Sequence, residues 1–212
     1  MKTTLRSHFS HPRHHVTNPQ YKRQAMQFIR DQFREYGLET HVDVFPTRLP
    51  TVNGVNVIGI LKGTNFNTPN DVIVGVAAHY DTMRNTPGVD DNGAAVVAML
   101  QAAKQVASRP HRKSTVMFVA FDFEEWEQVT QVSNVACANL SCGSEHFVHT
   151  WVPNFWSSTP KVAGVMVMDT IMNFDEIKQS QKFPAPVQIM SKVGTFNFNI
   201  DISYESLRIA NS

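Results

Sequence analysis

The sequence predicts an α/β fold: a mostly parallel central sheet with helices on both faces. Three observations carry this. Strand-like and helix-like stretches alternate along the chain. The runs at 71–80, 115–123 and 161–170 are almost continuously apolar, which suits strands buried on both faces. The stretch 94–107 reads as a helix with only a narrow polar stripe at Gln101, Lys104, Gln105 and Ser108, so most of its surface is expected to be buried. In folds of this class, functional groups gather at the carboxyl ends of the strands.

Each element follows from local chemistry. Residues 1–17 are polar and include His8, His11, His14 and His15; they read as a solvated terminal arm. A helix starts at Asn18, a suitable N-cap, with Pro19 in the first helical position. Ala25, Met26, Ile29, Phe33 and Tyr36 form its apolar stripe, and Gly37 fits its stop. Strands are expected at 41–45 and 55–61, then at the three apolar runs, and again at 185–192. Residues 127–142 read as an irregular insertion. Ser144 is a candidate cap for a short helix reaching Trp151, and the tail from Ile200 reads as a helix. With no repeat and no linker, residues 18–212 are expected to form one domain behind the 1–17 arm.

Lys+Arg is 19 against 18 Asp+Glu, a balance that argues against a nucleic-acid or membrane-surface partner recruited by bulk charge. No apolar run reaches the ~18 residues of a spanning helix. The opening MKTTLRSHFSHPRHH lacks the apolar core of a signal peptide.

The polar residues at the strand ends carry the chemistry. His79, Tyr80 and Asp81 end one strand, and Asp90 and Asp91 lie in the loop that follows it. Asp122, Glu124 and Glu125 end the next, and Asp169 ends a third. So many carboxylates on one rim repel one another unless a cation sits among them. One imidazole with several carboxylates suits a divalent ion, zinc above all.

AHYDT (78–82), PGVDDNGAAV (87–96), FDFEEWE (121–127) and VMVMDT (165–170) resemble the motifs of the M28 family of zinc aminopeptidases. NVIGILKG (56–63) and CGSEHFV (142–148) resemble two flanking segments, so the likeness covers roughly 12–192. The resemblance implies two zinc ions and a peptide substrate. It implies His79 and Asp169 as ligands of one zinc, Asp90 as the bridging carboxylate and Glu125 as a ligand of the other zinc. Glu124 is implied as the general base that takes a proton from the attacking water, and Asp81 as the carboxylate that orients His79. The Asp90–Asp91 peptide is implied to be cis.

The family's last zinc ligand is a His near the end of its domain, and this sequence has none after His149. The expectation is therefore a chain truncated relative to the family. One zinc would keep its full set, the other would lack an imidazole, and a final strand and helix would be missing. Two further readings stand beside the peptidase: a glutaminyl-cyclase-like acyltransferase and a non-catalytic binding fragment. Cys137 and Cys142 flank the sequon Asn139-Leu140-Ser141, which suits a glycosylated, disulfide-closed loop in a secreted or membrane-anchored parent. Trp126 suits either the cleft or the core. His146 and His149 read as a solvent-facing pair. Met166, Met168 and Met172 read as packing.

Overall fold

The computed structural model describes residues 1–49, 51–109, 111–125, 142–157 and 160–172. Two helices open the chain, α1 (Lys2–His8) and α2 (Pro19–Glu35). Strands β1 (Glu39–Pro46), β2 (Asn53–Leu61) and β3 (Val72–His79) follow. A helical turn, Val89–Ala94, is broken at Asp91 and Asn92 and leads into α3 (Ala95–Ala107). Then come β4 (Thr115–Phe121), α4 (Gly143–His146), a wide turn Phe147–Trp151, α5 (Val152–Phe155) and β5 (Lys161–Val167).

The α2 start is as its sequence dictates: the Asn18 side chain accepts from the Tyr21 N–H at 3.3 Å, and Pro19 needs no partner for a missing donor. Ala25, Ile29 and Phe33 are buried, and Gly37 takes a positive φ of 81° just past the end.

The sheet order is β1-β2-β4-β3-β5. β4, β3 and β5 run parallel, whereas β1–β2 and β2–β4 are antiparallel, so the sheet is mixed. Alternating side chains feed two cores. Val57, Phe118 and Ala120 join Ile29 and Phe33 of α2 and Val96 and Leu100 of α3 on one face. Ile58, Ile60, Met117 and Val119 meet Phe147 and Trp156 on the other. Helices therefore cover both faces.

The parallel register fixes the site. His79 pairs with Phe121 and Ala77 with Val167. The Tyr80 N–H donates to Phe121 O and the Met168 N–H to Ala77 O, both at 2.9 Å. The residues following β3, β4 and β5 thus emerge on one rim.

Several expectations need correction. Residues 1–17 are not a solvated arm: they form α1 and bury Phe9, Arg13 and His14. β5 forms, but every one of its residues is exposed, because among the described residues it has a neighbour on one side only. Met166 and Met172 are accordingly exposed, and Met168 alone of the three packs on the core. His146 does not face solvent. It is buried, stacks on Phe45 and sits 3.2 Å from Asp43 Oδ1. Cys142 is disulfide-bonded. Trp126, Cys137, Asn139, the 185–192 strand and the helix from Ile200 lie outside the described residues.

Candidate metal centre

His79, Asp91 and Asp169 each offer one ligand atom, and these atoms lie within 4.8 Å of one another. His79 is buried at the end of β3. Its Nε2 lies 3.0 Å from Asp91 Oδ1, 3.8 Å from Asp169 Oδ1 and 3.9 Å from Glu124 Oε2. Among the described residues, His79 Nε2 and Asp91 Oδ1 are buried and close to each other without a well-aligned hydrogen bond to any group. Buried polar atoms left without partners are costly. A divalent ion taking His79 Nε2 and one oxygen each from Asp91 and Asp169 would satisfy this side of the ring, while Nδ1 faces Asp81, so the donor set fits a metal.

The structure corrects one residue of the expected set. Asp91, not Asp90, faces His79, and the cis peptide bond is Asp91–Asn92, not Asp90–Asp91. The loop is held from both sides of Asp91. Asp90 Oδ1 turns outward and accepts from the Met172 N–H at 2.8 Å, and Asn92 Nδ2 donates to Met168 O at 2.9 Å. With both neighbours tied to the chain after β5, Asp91 is the carboxylate left to turn inward.

Asp81 lies behind His79 with its Oδ1 3.4 Å from Nδ1. Its two oxygens also accept from the Glu124 and Glu125 N–H groups, at 3.2 and 3.1 Å. One buried carboxylate thereby fixes the imidazole and the backbone of the Glu-Glu pair. Burial opposes its ionisation, but His79, Lys22 and the Glu125 N–H hold its pKa below the ordinary value. Burial likewise opposes charge on His79, yet Asp81, Glu124 and Asp91 around it win, and its pKa rises to about 9. Burial, reinforced by Asp91 and Asp81, pushes Glu125 up to about 7. Burial raises Glu124 and Asp91 as well, despite the opposing pull of His79. Such shifts mark carboxylates crowded together on a partly buried rim around one imidazole.

Asp122, though on the same rim in sequence, is not part of this cluster. It is buried, pairs with Lys22 Nζ at 2.7 Å and accepts from the Val55 N–H at 3.0 Å. Sequence reading missed Lys22 and Arg13, both polar residues outside the rim motifs. It also missed Asn92, whose place beside the Asp pair was the available signal.

The profile of peptidase family M28 matches residues 56–195. The aminopeptidase YwaD of Bacillus subtilis is 43% identical over 70 residues, 33% of this chain and 15% of that protein. A Zn-dependent exopeptidase from Parabacteroides distasonis superposes with a TM-score of 0.60 at 18% identity, covering 80% of this chain and 60% of that one. A glutaminyl cyclase from Tannerella forsythia gives 0.59 at 18%, with the same two coverages. The chain thus spans a small part of the curated relative and about 60% of each solved one. The two superpositions speak for the fold. The match from 56 to 195 contains the whole rim, from His79 through the Glu124-Glu125 pair to Asp169, and on that ground the chain belongs to peptidase family M28.

Proposed function

We propose that this chain carries a zinc-dependent exopeptidase site of aminopeptidase type, with Glu124 as general base. The observation that carries the reading is the convergence of buried His79 Nε2 with Asp91 and Asp169, ligand atoms within 4.8 Å of one another. His79, Asp91 and Asp169 would hold the ion. Bound zinc would supply Lewis acidity to the scissile carbonyl and make water a competent nucleophile near neutral pH. Asp81 keeps the imidazole in register from behind. Glu124 is half exposed, its carboxylate stands 3.9 Å from His79 Nε2, and its raised pKa suits a group that takes a proton from water and returns it to the leaving amine. Glu125, whose carboxyl is raised partly by Asp91, would serve a second ion shared with that residue.

The test couples zinc analysis to hydrolysis of a panel of aminoacyl p-nitroanilides by the chain and by Glu124→Gln. Zinc retained by both, with turnover only in the parent, supports the reading. A well-folded chain without zinc overturns it. Peptides with an amino-terminal Gln belong in the panel: cyclisation without hydrolysis would favour the glutaminyl-cyclase reading, which shares the fold.

A further inference from the structure

Arg13 is fully buried, yet among the described residues no ion pair joins it to a carboxylate. Its donors go to backbone carbonyls. Nε–H donates to Tyr80 O at 2.6 Å. One terminal nitrogen donates to Phe9 O, His11 O and Pro87 O at 3.0, 3.1 and 3.0 Å, and the other to Gly88 O at 2.7 Å. The Arg13 backbone N–H donates to Thr82 Oγ1 at 2.8 Å.

These acceptors are not scattered. Tyr80 directly follows His79. Pro87 and Gly88 directly precede the turn that carries Asp91. The guanidinium thus grips both ends of the segment joining two of the proposed ligands. Gly88 O also accepts from the Gly93 N–H at 2.9 Å, so the grip extends across the turn to the far side of Asp91. Gly88 itself has φ +56°, and an added Cβ would collide with Thr82, the Asp91 carbonyl and Arg13. Burial lowers the Arg13 pKa to about 10, while Asp81, Tyr21, Asp91 and Glu125 favour its charge. A planar five-donor fork suits this task, and an ammonium group cannot reach the same set of carbonyls.

We propose that Arg13 is a positioning residue for the metal centre: by holding the carbonyls of Tyr80, Pro87 and Gly88 together, it sets the approach of Asp91 to His79. The inference rests on the zinc reading above, and the experiment separates the two. Zinc affinity is measured by chelator competition on the full chain, together with the visible absorption of its cobalt-substituted form, for wild type, Arg13→Lys and the exposed control Arg34→Lys. Arg13→Lys, which keeps the charge but not the fork, is expected to fold, to bind zinc at least ~10-fold more weakly and to shift the cobalt bands. Arg34→Lys should match wild type. A merely structural Arg13 would lower the melting temperature and leave the affinity and the cobalt bands of the folded protein unchanged; that result overturns the inference. A wild-type chain that binds no zinc overturns the metal reading, and this inference with it. If circular dichroism shows Arg13→Lys unfolded, Thr82→Val decides. It removes one hold on Arg13 and keeps the guanidinium, and a wild-type zinc affinity there overturns the inference, whereas a several-fold loss supports it.

Discussion

Lys22 Nζ lies 2.7 Å from Asp122 Oδ1 in an almost solvent-free pocket behind the candidate metal centre. The same ammonium lies over the Phe123 ring, 4.1 Å from its centroid. Asp122 in turn is tied to β2 through the Val55 N–H, and its backbone N–H donates to Asn56 Oδ1. The pair therefore anchors the chain just ahead of Glu124 and Glu125. Removing one partner leaves a buried charge alone. Lys22→Met is expected to cost about 3–5 kcal/mol in urea unfolding. Adding Asp122→Asn should recover part of that loss, because the orphaned charge goes with it. Equal and additive losses would show that the two groups are not coupled.

The two adjacent aspartates should separate cleanly. Asp91 faces His79, whereas Asp90 accepts from the Met172 N–H. Asp91→Asn is expected to weaken zinc binding by roughly 100-fold or more, beyond what loss of a supporting group gives. Asp90→Asn keeps an oxygen for Met172 and should stay within about 10-fold of wild type. Isothermal titration on both variants checks this, and the reverse ranking would return the ligand role to Asp90.

Glu124→Gln is expected to lower kcat by about 10²- to 10⁴-fold while leaving zinc content unchanged. The amide keeps the size of the side chain and removes the proton acceptor. Steady-state kinetics with parallel metal analysis reads both quantities. Loss of zinc together with activity would make Glu124 a ligand instead.

Acidity should act on the metal-free chain in a defined direction. His79 rises from 6.5 to about 9 and Glu125 from 4.5 to about 7. Both therefore bind protons more tightly in the fold than in the unfolded chain. Their contribution to stability is complete below the unfolded values. It is lost as pH climbs, through 4.5–7 for Glu125 and through 6.5–9 for His79. Asp81, held low, works in the opposite sense at more acid pH. Thermal melts of the metal-free chain should thus fall in midpoint between about pH 5 and 9. Zinc displaces those protons, so the stabilisation it gives should grow over the same range. A zinc effect independent of pH would contradict the ligand assignment.

Gly143 tests the packing behind the rim. A Cβ there would strike Asn56 Oδ1 and the Asp122 backbone. Gly143→Ala is expected to destabilise by about 1–3 kcal/mol, read as a shifted urea midpoint.

The sheet and the rim were legible because they rest on local pattern. Runs such as 71–80 and 115–123 announce buried strands, and parallel strands bring their carboxyl ends to one side. The rest depended on partners distant in sequence. Nothing local distinguishes Asp90 from Asp91; the choice is made by Met172 and Met168 far along the chain. The same holds for His146 of α4, whose burial depends on Asp43 and Phe45 of β1. Nor does an apolar run reveal what will cover it, which is why 161–167 reads as buried while, among the described residues, it ends the sheet order and is exposed. Arg13 escaped notice for the plainest reason: a charged residue in a polar stretch looks solvated until its carbonyl partners are in view.

The contacts of Arg13 with Tyr80, Thr82, Pro87 and Gly88 each join residues 67 to 75 positions apart. Loop closures of that span form only when much of the chain has already settled, since their entropic cost must be met by other long-range contacts. The inward turn of Asp91 is therefore a product of global rather than local folding. A synthetic peptide covering 78–96 would carry His79 and Asp91 without the register that brings them together. Trimming the first 17 residues would disarm the site while every rim motif stayed intact.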